Sequence, residues 1–379
     1  MPSVKKRVRS EPPSEVRNES PATREIRQLE PILKQVETLT TTPRDALIDL
    51  ARLVKAVLMF DIPGDIVECG SYAGGAAFLM AHLLREAGVR DRKVWLFDSF
   101  EGLPPPQEID GAAAREYAEH PDAPENYDNC RASFADVRRT AKKLGLAPYT
   151  VCVKGWFEKT LPAHREHIGP ISILRVDGNW YASVRCCLDQ LYDQVADGGF
   201  VICHTYYTYD GCAAAVHELL GQRRLPYRIE SVVGVRPGAY AEDYQSALFC
   251  KGDSSWKWLR QVYLAIQDIA SVIPPRQTVI LVDQEELGIQ LGDQRRVLPF
   301  LERNGEYNGS PDDDITAIRE LNRMRRSGAG FLVFAWPAFW WLEHYAEFHG
   351  QLRRRFPCIL ENERVAVFDI RPSAERDRE

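Results

Sequence analysis

The sequence predicts an α/β protein: a doubly wound, mainly parallel sheet followed by a second, smaller α/β domain. Three observations carry this. Short apolar runs of strand length alternate with segments whose apolar residues recur at helical spacing. A glycine-rich turn, Gly70-Ser71-Tyr72-Ala73-Gly74-Gly75, joins the first run to the helix after it. The alternation stops at Gly252-Asp253-Ser254-Ser255 and resumes beyond it. A length of 379 residues suits two or three domains at roughly 150 residues each.

Residues 1–28 are rich in charge, Pro and Ser and read as a disordered tail. Its cluster Lys5-Lys6-Arg7-Val8-Arg9 would either meet something acidic or stay solvated. Pro43 to Phe60 places Leu47, Leu50, Leu53, Val54, Val57 and Leu58 on one helical face, with Thr42 as N-cap. Five strands follow: Ile66–Cys69, Lys93–Asp98, Tyr149–Lys154, Ile171–Asp177 and Phe200–Cys203. Helical patterns separate most of them, as in Ala182 to Val195. Beyond the break, a helix from Trp256 to Ala270 leads to strands Thr278–Asp283, Phe331–Trp336 and Arg364–Ile370. Helices near Asp313–Ser327 and Pro337–Arg355 lie between these. The expected division is therefore 1–28, 29–252 and 253–379.

Hydrophobic residues make up 45% and charged residues 27%, as in ordinary globular chains. A net charge of −6 argues against a protein that coats nucleic-acid phosphates. No apolar run approaches the roughly 20 residues of a membrane span. The basic N-terminus has no apolar stretch after it, so it does not read as a secretory signal. Nine cysteines, with Cys186 and Cys187 adjacent and no CxxC pair, suggest free thiols in a reducing cytoplasm.

In doubly wound sheets ligands bind beyond the carboxyl ends of the strands. That directs attention to the loops after Glu68, Asp98, Lys154, Asp177 and Cys203. Glycines after Glu68 let backbone approach a ligand, and the helix start offers free N–H groups. The spacing is not the GxGxxG of dinucleotide sites. An acidic residue before a short glycine turn suits a ligand carrying both ammonium and carboxylate; close helix–sheet packing is the other use of such glycines. Asp98 ends the adjacent strand, where a carboxylate either accepts both ribose hydroxyls of a nucleoside or caps the next segment.

These segments, VECGSYAGGAAFLMA, VWLFDSFEGLP, KGWFEKTLP, ILRVDGNWYASV and GGFVICHTY, resemble the macrocin O-methyltransferase family in sequence and order. The likeness runs from about Thr40 to Lys251, and the glycine segment also resembles catechol-type O-methyltransferases. It implies a class I, Rossmann-like methyltransferase that uses S-adenosylmethionine to methylate a sugar hydroxyl. The implied partner is a small-molecule or glycan acceptor, not nucleic acid, and a homo-oligomer is compatible with it. By the resemblance, Glu68, Gly70, Ser71, Tyr72 and Gly74 line the methionine end. Asp98 holds the ribose, with Ser99 and Phe100 beside the nucleoside. Trp156 lies near the adenine, and Asp177 under the transferring methyl.

The sequence departs from the family at one place. The family pattern pairs the carboxylate at Asp177 with an Asp-Asp pair ending the fifth strand and holds a divalent metal. Here that pair is His204-Thr205, the acidic residue after Asp177 is Asn179, and a family Glu is Ala182. One carboxylate is a poor magnesium set, so no magnesium site is expected. Three readings of His204 stand. It is a general base, since an imidazole with a pKa of about 6.5 suits a hydroxyl proton and Asp177 would orient it. It is a ligand to zinc or a similar ion. Or it is a filler where catalysis has been lost. Tyr206, Tyr207 and Tyr209 would stack on the acceptor or form a packed lid. Residues 102–127 read as an irregular lid over the acceptor. His82, His164, His167, His217, His344 and His349 show no ligand-like spacing, and Cys203 points away from its neighbour His204.

The C-terminal unit, Ile273 to Arg371, resembles an accessory domain of bacterial glycan-related proteins. Its Trp336, Phe339, Trp340 and Trp341 form a carbohydrate platform or, more simply, a core. Two further functions remain open at this level: a cofactor-binding scaffold without catalysis, and an enzyme using the same pocket for different chemistry.

Overall fold

The structure, a computed structural model, describes residues 21–123, 126–233, 245–252, 255–287, 291, 295–304 and 306–372. The chain opens with helices α1 (Pro21–Val36) and α2 (Arg44–Met59). Strand β1 (Asp65–Cys69), α3 (Gly75–Glu86) and β2 (Val94–Asp98) follow. A long connection holds α4 (Gly111–Glu119), the short α5 (Tyr127–Cys130) and α6 (Phe134–Lys143). The alternation continues through β3 (Thr150–Lys154), α7 (Phe157–Ile168), β4 (Ile171–Val176), α8 (Tyr181–Leu191), β5 (Val195–Cys203) and α9 (Asp210–Gln222). It closes with β6 (Glu230–Val233) and β7 (Gln245–Cys250).

These seven strands form one sheet in the order β3-β2-β1-β4-β5-β7-β6. The first five run parallel, and β7 is antiparallel to both of its neighbours. Strands β1, β2 and β4 are buried on both faces because helices cover both, which is why they read as continuous apolar runs. The five predicted strands appear with ends shifted by a few residues. The antiparallel pair β6 and β7 was not predicted; four residues of β6 are too few to show a period.

Helix α1 corrects the reading of 1–28 as a tail. From Pro21 the chain is helical, and Leu29, Ile32, Leu33 and Val36 bury in the core shared with α2 and α3. Glu25 is buried too, bonded to Arg52, Lys55 and Tyr263. Residues 1–20, with the basic cluster, lie outside the described residues. Thr42 is not the N-cap of α2. Pro43 takes that position without a side-chain cap, and Thr42 Oγ1 accepts from Arg175 Nη2 at 2.8 Å.

The second unit starts on α10 (Trp256–Val272). It contains β8 (Thr278–Val282), β9 (Arg296–Pro299), the hairpin β10 (Glu302–Arg303) and β11 (Glu306–Tyr307), and α11 (Asp314–Arg326). Then come β12 (Phe331–Ala335), α12 (Trp340–His344), α13 (Ala346–Arg355), β13 (Cys358–Glu361) and β14 (Val365–Asp369). Five of these strands form a mixed sheet, β13-β14-β12-β8-β9, with an apolar core on each face. The helix expected over Pro337–Arg355 is broken at Tyr345, whose hydroxyl donates to Pro311 O at 2.6 Å. Trp341 is fully buried beside Phe300, so that part of the aromatic cluster is core, while Trp340 is 41% exposed. No helix among the described residues is long and apolar enough to cross a membrane.

Candidate active site

The strand order reverses between β1 and β4, and the tips of five parallel strands meet there. Hydrogen bonds carry the sheet one residue past the strand ends. Gly70 N donates to Phe97 O at 2.8 Å, Asp177 N to Cys69 O at 2.7 Å, and His204 N to Val176 O at 2.9 Å. Side chains at these tips are therefore fixed relative to one another. Above them opens a cavity of about 290 Å³.

Gly70 and Asp177 form its floor. Gly70 has φ +90°, and a Cβ there would clash with the Asp177 carbonyl, so only glycine fits. Gly74, also at φ +90°, precedes α3 and abuts the Phe78 ring; it does not line the cavity. Tyr72 does line it, and its N–H donates to Asp98 Oδ2 at 2.8 Å. Ser71 lies beneath, and its Oγ has no hydrogen-bond partner among the described residues.

Asp98 is 9% exposed and faces the cavity. Its other oxygen accepts from Phe100 N at 2.6 Å, so the carboxylate does cap the segment that follows. Burial, helped by Asp177, pushes its carboxyl up to about 6 against the pull of these backbone N–H groups. Ser99 and Trp156 also line the cavity. Phe100 does not: it packs against Phe134, ring centres 5.2 Å apart, inside the core.

Glu68 does not line the cavity either. It is 1% exposed beneath the floor and takes a hydrogen bond from Arg175 Nη1. Burial pushes Glu68 up to about 7; Asp177 and Asp98 add to that rise and Arg175 opposes it. The same guanidinium lies 3.2 Å from Asp177 Oδ2. Arg175 thus stands between two acidic groups under the site. It was missed from sequence, although a charge inside the apolar run Ile171-Ser172-Ile173-Leu174-Arg175-Val176 is a signal that the strand meets something ionic.

His204 lines the cavity, with Nε2 3.8 Å from Asp177 Oδ2. That exceeds hydrogen-bond length, so Asp177 does not orient the ring as expected. The ring nitrogen held at 3.1 Å is Nδ1, and its partner is Ser246 Oγ on β7.

Residues 102–123, in the segment expected to form a lid, are more ordered than their sequence implied. Alanines and glycine hid a helix, α4, in Gly111–Glu119. Asp110 ties the lid down: Oδ2 accepts from Gln107 N at 2.6 Å and Oδ1 from Tyr181 N at 2.7 Å. Trp180 Nε1 adds a bond to Pro104 O at 2.7 Å. Leu103, Pro104 and Tyr117, all within the segment expected to cover the acceptor, line the cavity from this side, as does Cys130 just beyond it. Of the three tyrosines, Tyr209 lines it and packs on Trp180, ring centres 4.8 Å apart. Tyr206 instead bonds His217 at 2.5 Å, and Tyr207 is 50% exposed; neither lines the cavity.

The chain is 37% identical over 171 residues to a demethyldecarbamoylnovobiocin O-methyltransferase of Streptomyces niveus, covering 45% of this chain and 63% of that relative. It therefore spans less than two thirds of that relative's length. It is 34% identical over 187 residues to an 8-demethyl-8-(2,3-dimethoxy-alpha-L-rhamnosyl)-tetracenomycin-C 4'-O-methyltransferase of Streptomyces olivaceus, covering 49% and 69%. Among solved structures, the O-methyltransferase NovP aligns with 31% identity and a TM-score of 0.47, over 55% of this chain and 80% of that one. The profile described as Macrocin-O-methyltransferase (TylF) matches residues 8–235, more than half of the chain. By that match, the chain belongs to the macrocin O-methyltransferase family.

Proposed function

We propose that this protein transfers a methyl group from S-adenosylmethionine to a hydroxyl of a sugar, in a glycosylated small molecule or a glycan. One observation carries the reading. Asp98, Asp177 and His204 converge on a single cavity at the strand tips where the sheet order reverses. The residues suit the cofactor: glycine-only backbone at Gly70, an unpartnered Ser71 Oγ among the described residues, and a cavity-facing carboxylate.

When bound, the cofactor supplies a sulfonium-bound methyl carbon and leaves as a neutral thioether. Asp98 would accept hydrogen bonds from the ribose hydroxyls, and Trp156 with Phe157, which also lines the cavity, would cover the base. His204 Nε2 would take the proton of the acceptor hydroxyl as general base. Asp177, 3.8 Å away, stabilises the resulting imidazolium through space. The donor set does not suit the divalent metal of the family pattern. Asp177 brings one carboxylate, already facing Arg175, and no cluster of three or more His, Cys, Asp or Glu with metal-holding geometry occurs among the described residues. No step is therefore routed through a metal. The acceptor class is supported by the Streptomyces olivaceus relative, whose name specifies a rhamnosyl-bearing substrate.

The test is methyl incorporation from labelled S-adenosylmethionine into a panel of rhamnosylated and other glycosylated natural products, with and without EDTA. Transfer should survive EDTA, and His204→Ala should lower turnover by about a hundredfold or more. Activity abolished by EDTA and restored by magnesium would overturn the metal-free mechanism. A protein that binds cofactor and methylates nothing would favour the scaffold reading, which the missing acidic pair motivates.

A further inference from the structure

We propose that Ser246 is a positioning residue that fixes the tautomer of His204, keeping the proton on Nδ1 and leaving the Nε2 lone pair to the acceptor. The inference rests on the reading of His204 as the base. Nε2 faces the main cavity, where Asp177 lies. Nδ1 faces away from it, toward a small pocket lined by Thr42, Asp49, Arg175 and Ser246.

A serine hydroxyl has one proton to give and lone pairs to accept with. Ser246 Oγ lies 3.1 Å from Nδ1 and 3.3 Å from the backbone carbonyl oxygen of His204 itself. The carbonyl can only accept. Donation of the hydroxyl proton to it commits Oγ to accept at Nδ1, so Nδ1 carries the hydrogen. The neutral ring then has its lone pair on Nε2. Asp177 does not compete for this role, because 3.8 Å is outside hydrogen-bond range.

Position supports the assignment. Along β7, Leu248 and Cys250 share the Ser246 face and belong to the apolar core. A hydroxyl at the end of such a face, 3% exposed, is costly unless bonded. Ser246 is also held between neighbours: β7 pairs with β5 through Cys203↔Ala247 and with β6 through Val232↔Ser246. The strand that leads into His204 is thus in register with the strand that carries its holder.

The experiment is 15N–1H correlation NMR on protein labelled at histidine nitrogens, with His204 assigned from the signals lost in His204→Gln. Wild type should show the proton on Nδ1. Ser246→Ala should shift the ring toward the other tautomer, and Ser246→Thr, which keeps the hydroxyl, should restore it. Kinetics supply the second arm. Ser246→Ala should lower kcat by about tenfold with KM little changed, and should cost nothing further in a His204→Ala background. A wild-type ring protonated on Nε2, or unchanged by Ser246→Ala, overturns the role of Ser246 even if His204→Ala is inactive. A fully active His204→Ala overturns the base reading instead, and the spectra still decide the tautomer separately.

Discussion

Arg175 carries the floor of the site. Its guanidinium serves Glu68, Asp177 and Thr42 at once, and all but Asp177 are essentially out of solvent. Removing one side of a buried ionic set leaves the remainder uncompensated, at about 3–5 kcal/mol. Arg175→Met should lose that much stability in urea unfolding at pH 8. A loss below about 1 kcal/mol would show that the acidic groups do not need the cation. Asp98 gives a pH prediction. Its carboxyl in the free protein is pushed up to about 6, and ribose hydroxyls prefer the ionised form, so ligand binding pulls that value down. Affinity for S-adenosylhomocysteine should be flat above pH 6 and fall as pH drops below it. In Asp98→Asn this dependence should vanish and binding should weaken by roughly 2–4 kcal/mol. Calorimetry that finds the same pH slope in both proteins would assign the titration elsewhere. Asp98 and Asp177 were legible because they end strands where such sheets bind ligands. Ser246 was not: its partner lies 42 residues away, and no spacing in the sequence relates them.

At the scale of elements, the parallel strands were readable because burial on both faces leaves a short apolar run between turn residues. The lid was not, because its order comes from contacts across the fold rather than from its own period. Asp110 shows this. It is 1% exposed, and its two oxygens join the lid's own Gln107 to the start of α8 at Tyr181. Gly111 and Gly211 admit the neighbouring Asp210 and Asp110 side chains where a Cβ would clash, so α4 and α9 approach closely. Asp110→Ala should leave the Tyr181 and Gln107 N–H groups unpaired, costing about 1–3 kcal/mol. The visible effect should be local. Limited proteolysis should cut faster within residues 102–123, and KM for the acceptor should rise more than kcat falls. Unchanged cleavage there would mean that Trp180 and the Pro104 carbonyl hold the lid without Asp110.

For the whole molecule, the question is how the two units depend on each other. The expected division places a boundary at residue 252, but α10, which begins at Trp256, belongs to both cores. Trp256 is 5% exposed and packs edge-on to Phe200, 5.7 Å between ring centres, in the core of the first sheet. Farther along the helix, Val262, Ile266 and Ile269 bury in the core of the second. Polar bonds repeat the link: Tyr263 donates to Glu25 of α1 at 2.6 Å, and Asp268 accepts from Arg364 next to β14 at 2.7 Å. A fragment ending at residue 252 therefore loses a core tryptophan, worth about 3–5 kcal/mol on the scale of a Trp→Ala change, and leaves Glu25 without its tyrosine. That fragment should melt well below one ending at residue 274, which keeps α10 but drops the second sheet. The longer fragment should bind S-adenosylhomocysteine, yet its bare Val262, Ile266 and Ile269 should make it prone to association. Substituting those three by Ser, Gln and Lys should return it to a monomer without loss of binding, read by light scattering and calorimetry. Equal melting of the two fragments would assign α10 to the second unit alone and restore the boundary at residue 252.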